Sequence, residues 1–506
     1  MRFARTKNTL RNIAFGAVSR IVNIVLPFIS RTVILYVMGT QYLGLSSLFS
    51  SILSFLSLAE LGIGGAMVYS MYKPIAENDT NTIRALLNLY RKLYRIIGGV
   101  ILAIGLLLIP FLKVLVSEEL PAEINLYLLY LVYLFNAVLS YWIFAYKNAL
   151  LQAYQRDDIN SKIASLITPI SYAVMLVSLV LTKNYYAYVL WLPVFTVLTN
   201  ILRMVLVNRS FPNMELDGEV SEELRHLILK KTTALIGTKL NTVVLNAADN
   251  LVMSAFLGLT VIAVYGNYYY IMSSIIGFLG IVYSSMTAGL GNSLQTDSLD
   301  TNYRNFEKFS FINSWLVGWC SVCLVCLYQP FMEIWVGKEL MFPFYIVIEI
   351  GVYFYVYQIR KIPVVYKDAA GIWWEDRFRP YVCMVVNVVL NIVLVQVIGV
   401  SGIILSTVFS LVISIPWENY TIFRYVFSRS SRTYYKKMLF SAFSMLIAGG
   451  IAWWLCSLFG NGMFAFLLRG CVCIVVPNGI FAILNCKRTE FKDTLHFVQR
   501  IMKRQY

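Results

Sequence analysis

Arg20, Asn23, Pro27 and Arg31 are matched 219 residues later by Lys239, Thr242, Asn246 and Asn250, and each set lies inside a long apolar segment. The spacing i, i+3, i+7, i+11 puts each set on one face of a helix. A charged side chain at membrane depth costs ~2.5–3.5 kcal/mol, so it faces a cavity or a partner rather than lipid. Arginine forks onto phosphate through two parallel hydrogen bonds. Arg20 and Arg31, about 16 Å apart on one helix, offer successive contacts to a moving anionic group. Lys239, Asn246 and Asn250 extend the same chemistry to the second segment. The other reading is structural ion pairing, with Glu60 or Asp249 as the counter-charge. Asp249 itself suits three roles: binding a coupling cation, carrying a proton, or pairing with Arg31. Burial raises a carboxyl pKa and a nearby arginine lowers it, so the residue type alone does not choose. Glu60, Glu349 and Glu418 are further coupling or ion-pair candidates, unless they lie solvated at helix ends.

These residues need long apolar helices to carry them. Of 506 residues, 59% are hydrophobic and 13% charged, against about 25% charged in soluble proteins. The mean hydropathy is +0.69, and apolar runs near ~20 residues recur, as expected of an all-α integral membrane protein. Continuous rather than alternating apolar segments argue against a β-barrel. We read fourteen spans, at about 11–38, 42–72, 92–116, 125–150, 162–182, 185–208, 233–257, 261–294, 308–335, 341–366, 379–397, 401–424, 437–458 and 463–485. The Arg-rich start runs into an unbroken segment with no small-residue cleavage site, so it is read as the first span and not as a signal peptide.

The net charge of +16 does not point to nucleic acid. With the N-terminus inside, most of the 42 Lys and Arg fall on cytoplasmic segments, and only Lys113, Lys183 and Lys338 lie outside. This bias places both termini in the cytoplasm and sets the basic surface against anionic inner-leaflet lipid. The eight cysteines do not form a disulfide framework. Cys320, Cys323 and Cys326 repeat along one apolar segment and read as packing residues. With two histidines in the chain, neither a metal nor another cofactor is expected.

The two halves repeat. FISRTVILYVMG, a short loop and YLGLSSLFSSILSFL match AADNLVMSAFLG, a short loop and AVYGNYYYIMSSIIGFLG, with Gly39 aligned on Gly258. Both segments start on the same side, so the repeat is parallel, with substrate expected between the halves. The expected domains are a first six-helix lobe at 1–208, a cytoplasmic linker at 209–232, a second lobe at 233–428, two further helices at 429–486 and a basic tail at 487–506. A capped helix is expected at Ser221 within the linker. In the tail, Phe491, Leu495, Val498 and Met502 form an apolar stripe that suits either the inner leaflet or a solvated helix. No Walker A loop, HExxH or GxSxG is present, so no enzyme is expected. The pair Asp157–Asp158 lacks a nucleotide-binding context.

Three stretches resemble a known family: AELGIGGAMVYSMYKPIAENDTNTI, AADNLVMSAFLG with VYGNYYYI, and QIRKIPVVYKDAAGIWWEDRFRPYVCMVVNVVLNIVLVQVIGVSGIILSTVFS. They are similar to the Wzx-type polysaccharide-repeat-unit flippases of the MOP transporter superfamily. The resemblance implies a V-shaped, two-lobed bundle working by alternating access in a bacterial cell membrane. It implies an oligosaccharide on a polyprenyl diphosphate as substrate, moved from the inner to the outer leaflet. H+ or Na+ as coupling ion and other polysaccharide-assembly proteins as partners are compatible with it. An inside-negative potential favours export of a diphosphate by ~4–5 kcal/mol per 100 mV. Fourteen spans also suit a lipid II-type flippase, in which the last two helices contribute a lipid groove. A cation-coupled multidrug extruder would favour an acidic cavity, whereas this stripe is basic. A glycan polymerase or ligase would need a large outer loop.

Overall fold

The computed structural model describes residues 5–502 apart from 61, 117, 213 and 215. Side chains are described from Ile21 onward, except at 59, 227, 230, 231, 233–236, 238, 239, 246, 288, 498 and 500–502. The chain divides into two compact units, Met1–Ala263 and Val264–Tyr506. The first holds α1 (Arg5–Val37), α2 (Thr40–Leu56), α3 (Ile63–Glu77), α4 (Thr80–Leu107), α5 (Leu112–Leu115) and α6 (Leu126–Trp142). It continues with α7 (Lys147–Ala153), α8 (Asp157–Thr182), α9 (Tyr185–Val189), α10 (Trp191–Ser210), α11 (Glu222–Leu257) and the start of α12 (Leu259–Thr296). The second unit holds the rest of α12, then α13 (Leu299–Val336), α14 (Phe344–Ile359), α15 (Lys361–Ala370) and α16 (Arg379–Ile398). It ends with α17 (Val400–Tyr425), α18 (Arg432–Ser457), α19 (Met463–Asn485) and α20 (Thr489–Met502).

All regular structure among the described residues is helical. Among the described residues, nine helices are long and apolar enough to cross a membrane, or eleven if two bent pairs each count as one span. The bends are 43° between α4 and Ile109–Leu115 and 55° between α6 and α7. Every segment expected to span coincides with helix, but several are split. The expected span 42–72 breaks at Gly62, whose φ of 75° is left-handed, and the span 341–366 is divided between α14 and α15 at Arg360. Pieces this short do not span alone by length, and of the first expected span only Ile21–Val37 is counted among the described residues.

The matched glycines adopt matching backbones: φ 103° and ψ 179° at Gly39, φ 91° and ψ 171° at Gly258. An L side chain rarely takes this region, so the repeat is visible as two like corners, α1 to α2 and α11 to α12. Ser221 caps α11 as expected, accepting from the Leu224 N–H at 3.4 Å. The helix it opens is not confined to the linker but runs unbroken to Leu257, because no proline interrupts it. Within the first unit α11 packs on α2 and α3, while α1 packs along α8.

In the second unit α16 and α17 pack most intimately. A Cβ on Gly402 would stand 2.4 Å from the Leu394 carbonyl carbon. The close approach lets buried Asn387 donate to Thr407 at 3.0 Å, and Asn391 to Asn387 at 3.3 Å, the small-residue and polar pairing that holds helices in lipid. The tail helix α20 lies on α13 rather than apart from it. Phe491 stacks on Trp315 at 5.7 Å, and Arg304 binds Asp493 through two hydrogen bonds of 2.7 and 2.9 Å. Leu495 stays exposed, and Val498 and Met502 lie outside the described side chains.

Candidate functional site

The first unit carries both polar stripes. Arg20, Lys239 and Asn246 fall outside the described side chains. Asn23 and Thr242 are exposed, and Pro27 is half-buried. Arg31 is half-buried, and its Nη2 reaches the Ala263 carbonyl at 3.5 Å, long for a hydrogen bond. Beside it, Ser30 is buried and shares a hydrogen bond with the Tyr188 hydroxyl at 2.9 Å. Asn250 donates to Ser51 of α2 at 2.9 Å, and Asp249 is 6% exposed. Ser51 is thus a partner of the second stripe, a contact spacing alone does not reveal.

The two glycine corners are tied through Glu118. Its carboxylate accepts from the Thr260 N–H at 3.3 Å, from the Thr260 hydroxyl at 3.4 Å and from Gln41 at 3.5 Å. Thr40 and Thr260 face one another at 3.4 Å between hydroxyls. Glu60 is half-buried and finds its partners away from the stripe arginines. The Tyr94 and Tyr141 hydroxyls donate to it at 2.6 and 3.0 Å, and Tyr90 donates to Tyr94 at 2.5 Å. The i, i+4 spacing of Tyr90 and Tyr94 was a sequence clue to this shelf. Asp158 of the acidic pair is buried and bridged by Arg156 at 2.9 Å and Lys162 at 3.4 Å. That makes it a structural ion pair.

The second unit contains a buried ionic network that the site prediction did not include, apart from Glu418. Glu418 of α17 is 1% exposed. It accepts from Arg360 at 2.5 and 3.0 Å and lies 2.9 Å from Arg379. Arg379 also binds Asp376 at 2.8 Å and Ser414 at 2.9 Å, and Asp376 binds Lys367 at 2.6 Å. Three cations thus face two carboxylates, leaving one positive charge in excess. The residues come from the α14–α15 junction, α15, the 371–378 loop, α16 and α17, so only Glu418 stood out as a charge within an apolar run. The charges of QIRK, YKD and WEDRFRP were a signal of composition, but the Glu418 partner of Arg360 sits 58 residues on. Glu349 of α14 is half-buried, and its Oε2 has no hydrogen-bond partner.

In the same unit, α13, α14 and α18 line an apolar groove of about 510 Å³. Val322, Val325, Ile348, Tyr355, Gly450 and Trp453 are among its lining residues. Cys326 also lines it, and its sulfur meets those of Cys456 and Cys473, a group of ligand type that sequence spacing did not bring together.

No family model and no curated protein matches the sequence. Solved structures do match. The lipid II flippase MurJ in an inward closed conformation superposes with TM-score 0.67 at 16% identity, covering 94% of this chain and 99% of that one. An inward-facing multidrug resistance MATE family transporter of the MOP superfamily gives 0.60 at 15% identity, over 80% of this chain and 94% of that one. An outward-facing MATE transporter gives 0.54 at 14%, over 83% and 95%. At these identities the likeness is one of fold. The chain is a multi-pass helical membrane protein that shares its fold with the lipid II flippase MurJ and the MATE transporters of the MOP superfamily.

Proposed function

We propose that this protein is a flippase that moves an oligosaccharide linked to a polyprenyl diphosphate from the cytoplasmic to the outer leaflet of a bacterial cell membrane. The observation that carries the reading is the apolar groove between α13, α14 and α18. Its volume of about 510 Å³ and its aliphatic and aromatic lining suit a hydrocarbon chain better than a hydrated cation. Its wall α18 is the first of the two helices beyond the six-plus-six repeat. The superposition on a lipid II flippase over almost the whole chain supports the same class of substrate. The alternative of lipid II itself as cargo rests on that superposition. The basic character of the Arg20, Arg31 and Lys239 stripe supports an anionic head group, with Asn23, Asn246 and Asn250 as its neutral hydrogen-bonding neighbours. Asp249 is the candidate for tuning or coupling the cycle, and Glu349 is its counterpart in the second unit.

Mechanistically, the stripe arginines bind the diphosphate by forked hydrogen bonds that offset its desolvation, while the chain stays in apolar surroundings. Sidedness of lipid-linked oligosaccharide in a deletion strain is the decisive assay. Build-up on the inner leaflet with loss of surface glycan is expected, and normal export would sink the reading. Accumulated lipid II instead would select the alternative cargo. Reorientation by Arg20→Ala and Arg31→Ala proteins at matched expression tests the head-group role, which unchanged flipping in both would remove.

A further inference from the structure

The sulfurs of Cys326 (α13), Cys456 (α18) and Cys473 (α19) lie within 4.8 Å of one another, and all three residues are buried. The Cys456 and Cys473 sulfurs are 4.0 Å apart. Cys323, one turn from Cys326, points its sulfur at the Cys473 carbonyl at 4.0 Å. Packing alone does not require three thiols from three helices to meet at one point, since cysteine buries equally well beside any apolar neighbour. From this convergence we infer a binding site for a soft, thiophilic d10 metal ion, with Cu(I) as the ion that fits it.

The donor set selects the metal. Thiolate sulfur favours Cu(I) over harder ions. Structural zinc takes four ligands in a tetrahedron, whereas this group has three sulfurs and no His, Asp or Glu ligand atom among the described residues. A two- or three-coordinate ion is therefore the match. Charge also balances. Cu(I) displaces the protons of two thiols to solvent, and three S–Cu bonds form, two from the thiolates and one from the third sulfur as a neutral thiol donor. Two thiolates and Cu(I) sum to one negative charge. Arg469, one helical turn before Cys473, supplies the positive one. Its guanidinium already donates to the Phe459 and Gly460 carbonyls at 2.6 and 3.2 Å, and its Nε has no partner. No redox step is involved. Because Cys326 also lines the groove, the bound ion clamps one groove wall to α18 and α19. The site stands whether or not the transport reading does.

The competing sites are the exposed Cys471 and Cys486, and the experiment separates them. Full-length protein in detergent is loaded anaerobically with Cu(I), then desalted against a Cu(I) chelator, and retained copper is measured by mass spectrometry. The first shell is read by X-ray absorption. The C471S/C486S protein is expected to keep one equivalent with a sulfur-only shell. Separate C473S and C326S proteins are expected to lose it, with affinity reduced beyond the ~10–100-fold typical of outer-shell changes. Two single variants guard against one failing to fold, and a monodisperse elution profile qualifies each. Copper kept by both single variants, lost from C471S/C486S, or retained by no protein would overturn the site.

Discussion

Replacing Glu418 by Gln removes the carboxylate shared by two arginines in the core of the second unit. The unmodified network holds Arg360, Lys367 and Arg379 against Asp376 and Glu418. Glu418→Gln raises the uncompensated charge from one to two. The shared carboxylate is lost at a site only 1% exposed, where water cannot replace it. Removing one partner of a buried pair costs about 3–5 kcal/mol, because the other charge stays buried. Arg360→Gln behaves differently. Glu418 then keeps Arg379, Asp376 keeps Lys367 and Arg379, and the network becomes neutral, so the loss is smaller. The double variant E418Q/R360Q restores the original excess charge and should be more stable than the sum of the single losses. Thermal unfolding followed by size-exclusion fluorescence reads this directly. For a unit of this size, 3–5 kcal/mol corresponds to roughly 6–20 °C. The order E418Q below E418Q/R360Q, with R360Q nearest the unmodified protein, is expected. Additive losses, or E418Q melting with the unmodified protein, would refute the reasoning.

Gly258→Ala and Gly39→Ala separate backbone strain from crowding. Both place a side chain at positive φ at a cost of about 1–3 kcal/mol, but only at Gly258 would the Cβ also stand 2.3 Å from Glu118. Gly258→Ala should therefore melt lower than Gly39→Ala, and equal losses would mean that the corner at Glu118 yields freely. Gly450 lines the groove, and a Cβ there meets nothing within 4 Å. Gly450→Leu is expected to fill the groove and slow reorientation while leaving thermal stability intact, and undiminished flipping would exclude the groove from the substrate path. The docking of α20 should weaken in acid. The Arg304 hydrogen bond and charge hold Asp493 below the usual carboxylate range. Burial pushes Glu490 up, but the Lys437 hydrogen bond and the Lys437 and Arg488 charges outweigh it and leave it lowered. Groups with depressed folded pKa stabilise above their unfolded values and lose that contribution as pH falls through the folded ones. Hydrogen exchange across Thr489–Met502 should thus be slow at neutral pH and rise below the ordinary carboxylate range, relative to intrinsic rates. Flat protection there would assign the docking to the Phe491–Trp315 stack instead.

The helical class and the position of every apolar segment were legible in the amino-acid order. Burial of backbone polar groups in lipid leaves a continuous apolar run few choices besides helix. The repeat was legible too, since Gly39 and Gly258 share a backbone that few other residues tolerate. What the order of residues could not say is where those helices break and which charges meet. Span 42–72 reads as one apolar run, yet it divides at Gly62 because packing of α3 on α4 and α7 outweighs helix continuity. Glu60 looked like a lone intramembrane carboxylate, and three tyrosines from two other helices supply its hydrogen-bond chain. Glu418 looked like a candidate for coupling, and it anchors arginines from two other segments. Cys326, Cys456 and Cys473 share no spacing pattern at all. Periodicity records which face of a helix is apolar, a property of neighbours along the chain. Partnerships between polar groups depend on distances across helices, which only tertiary packing sets.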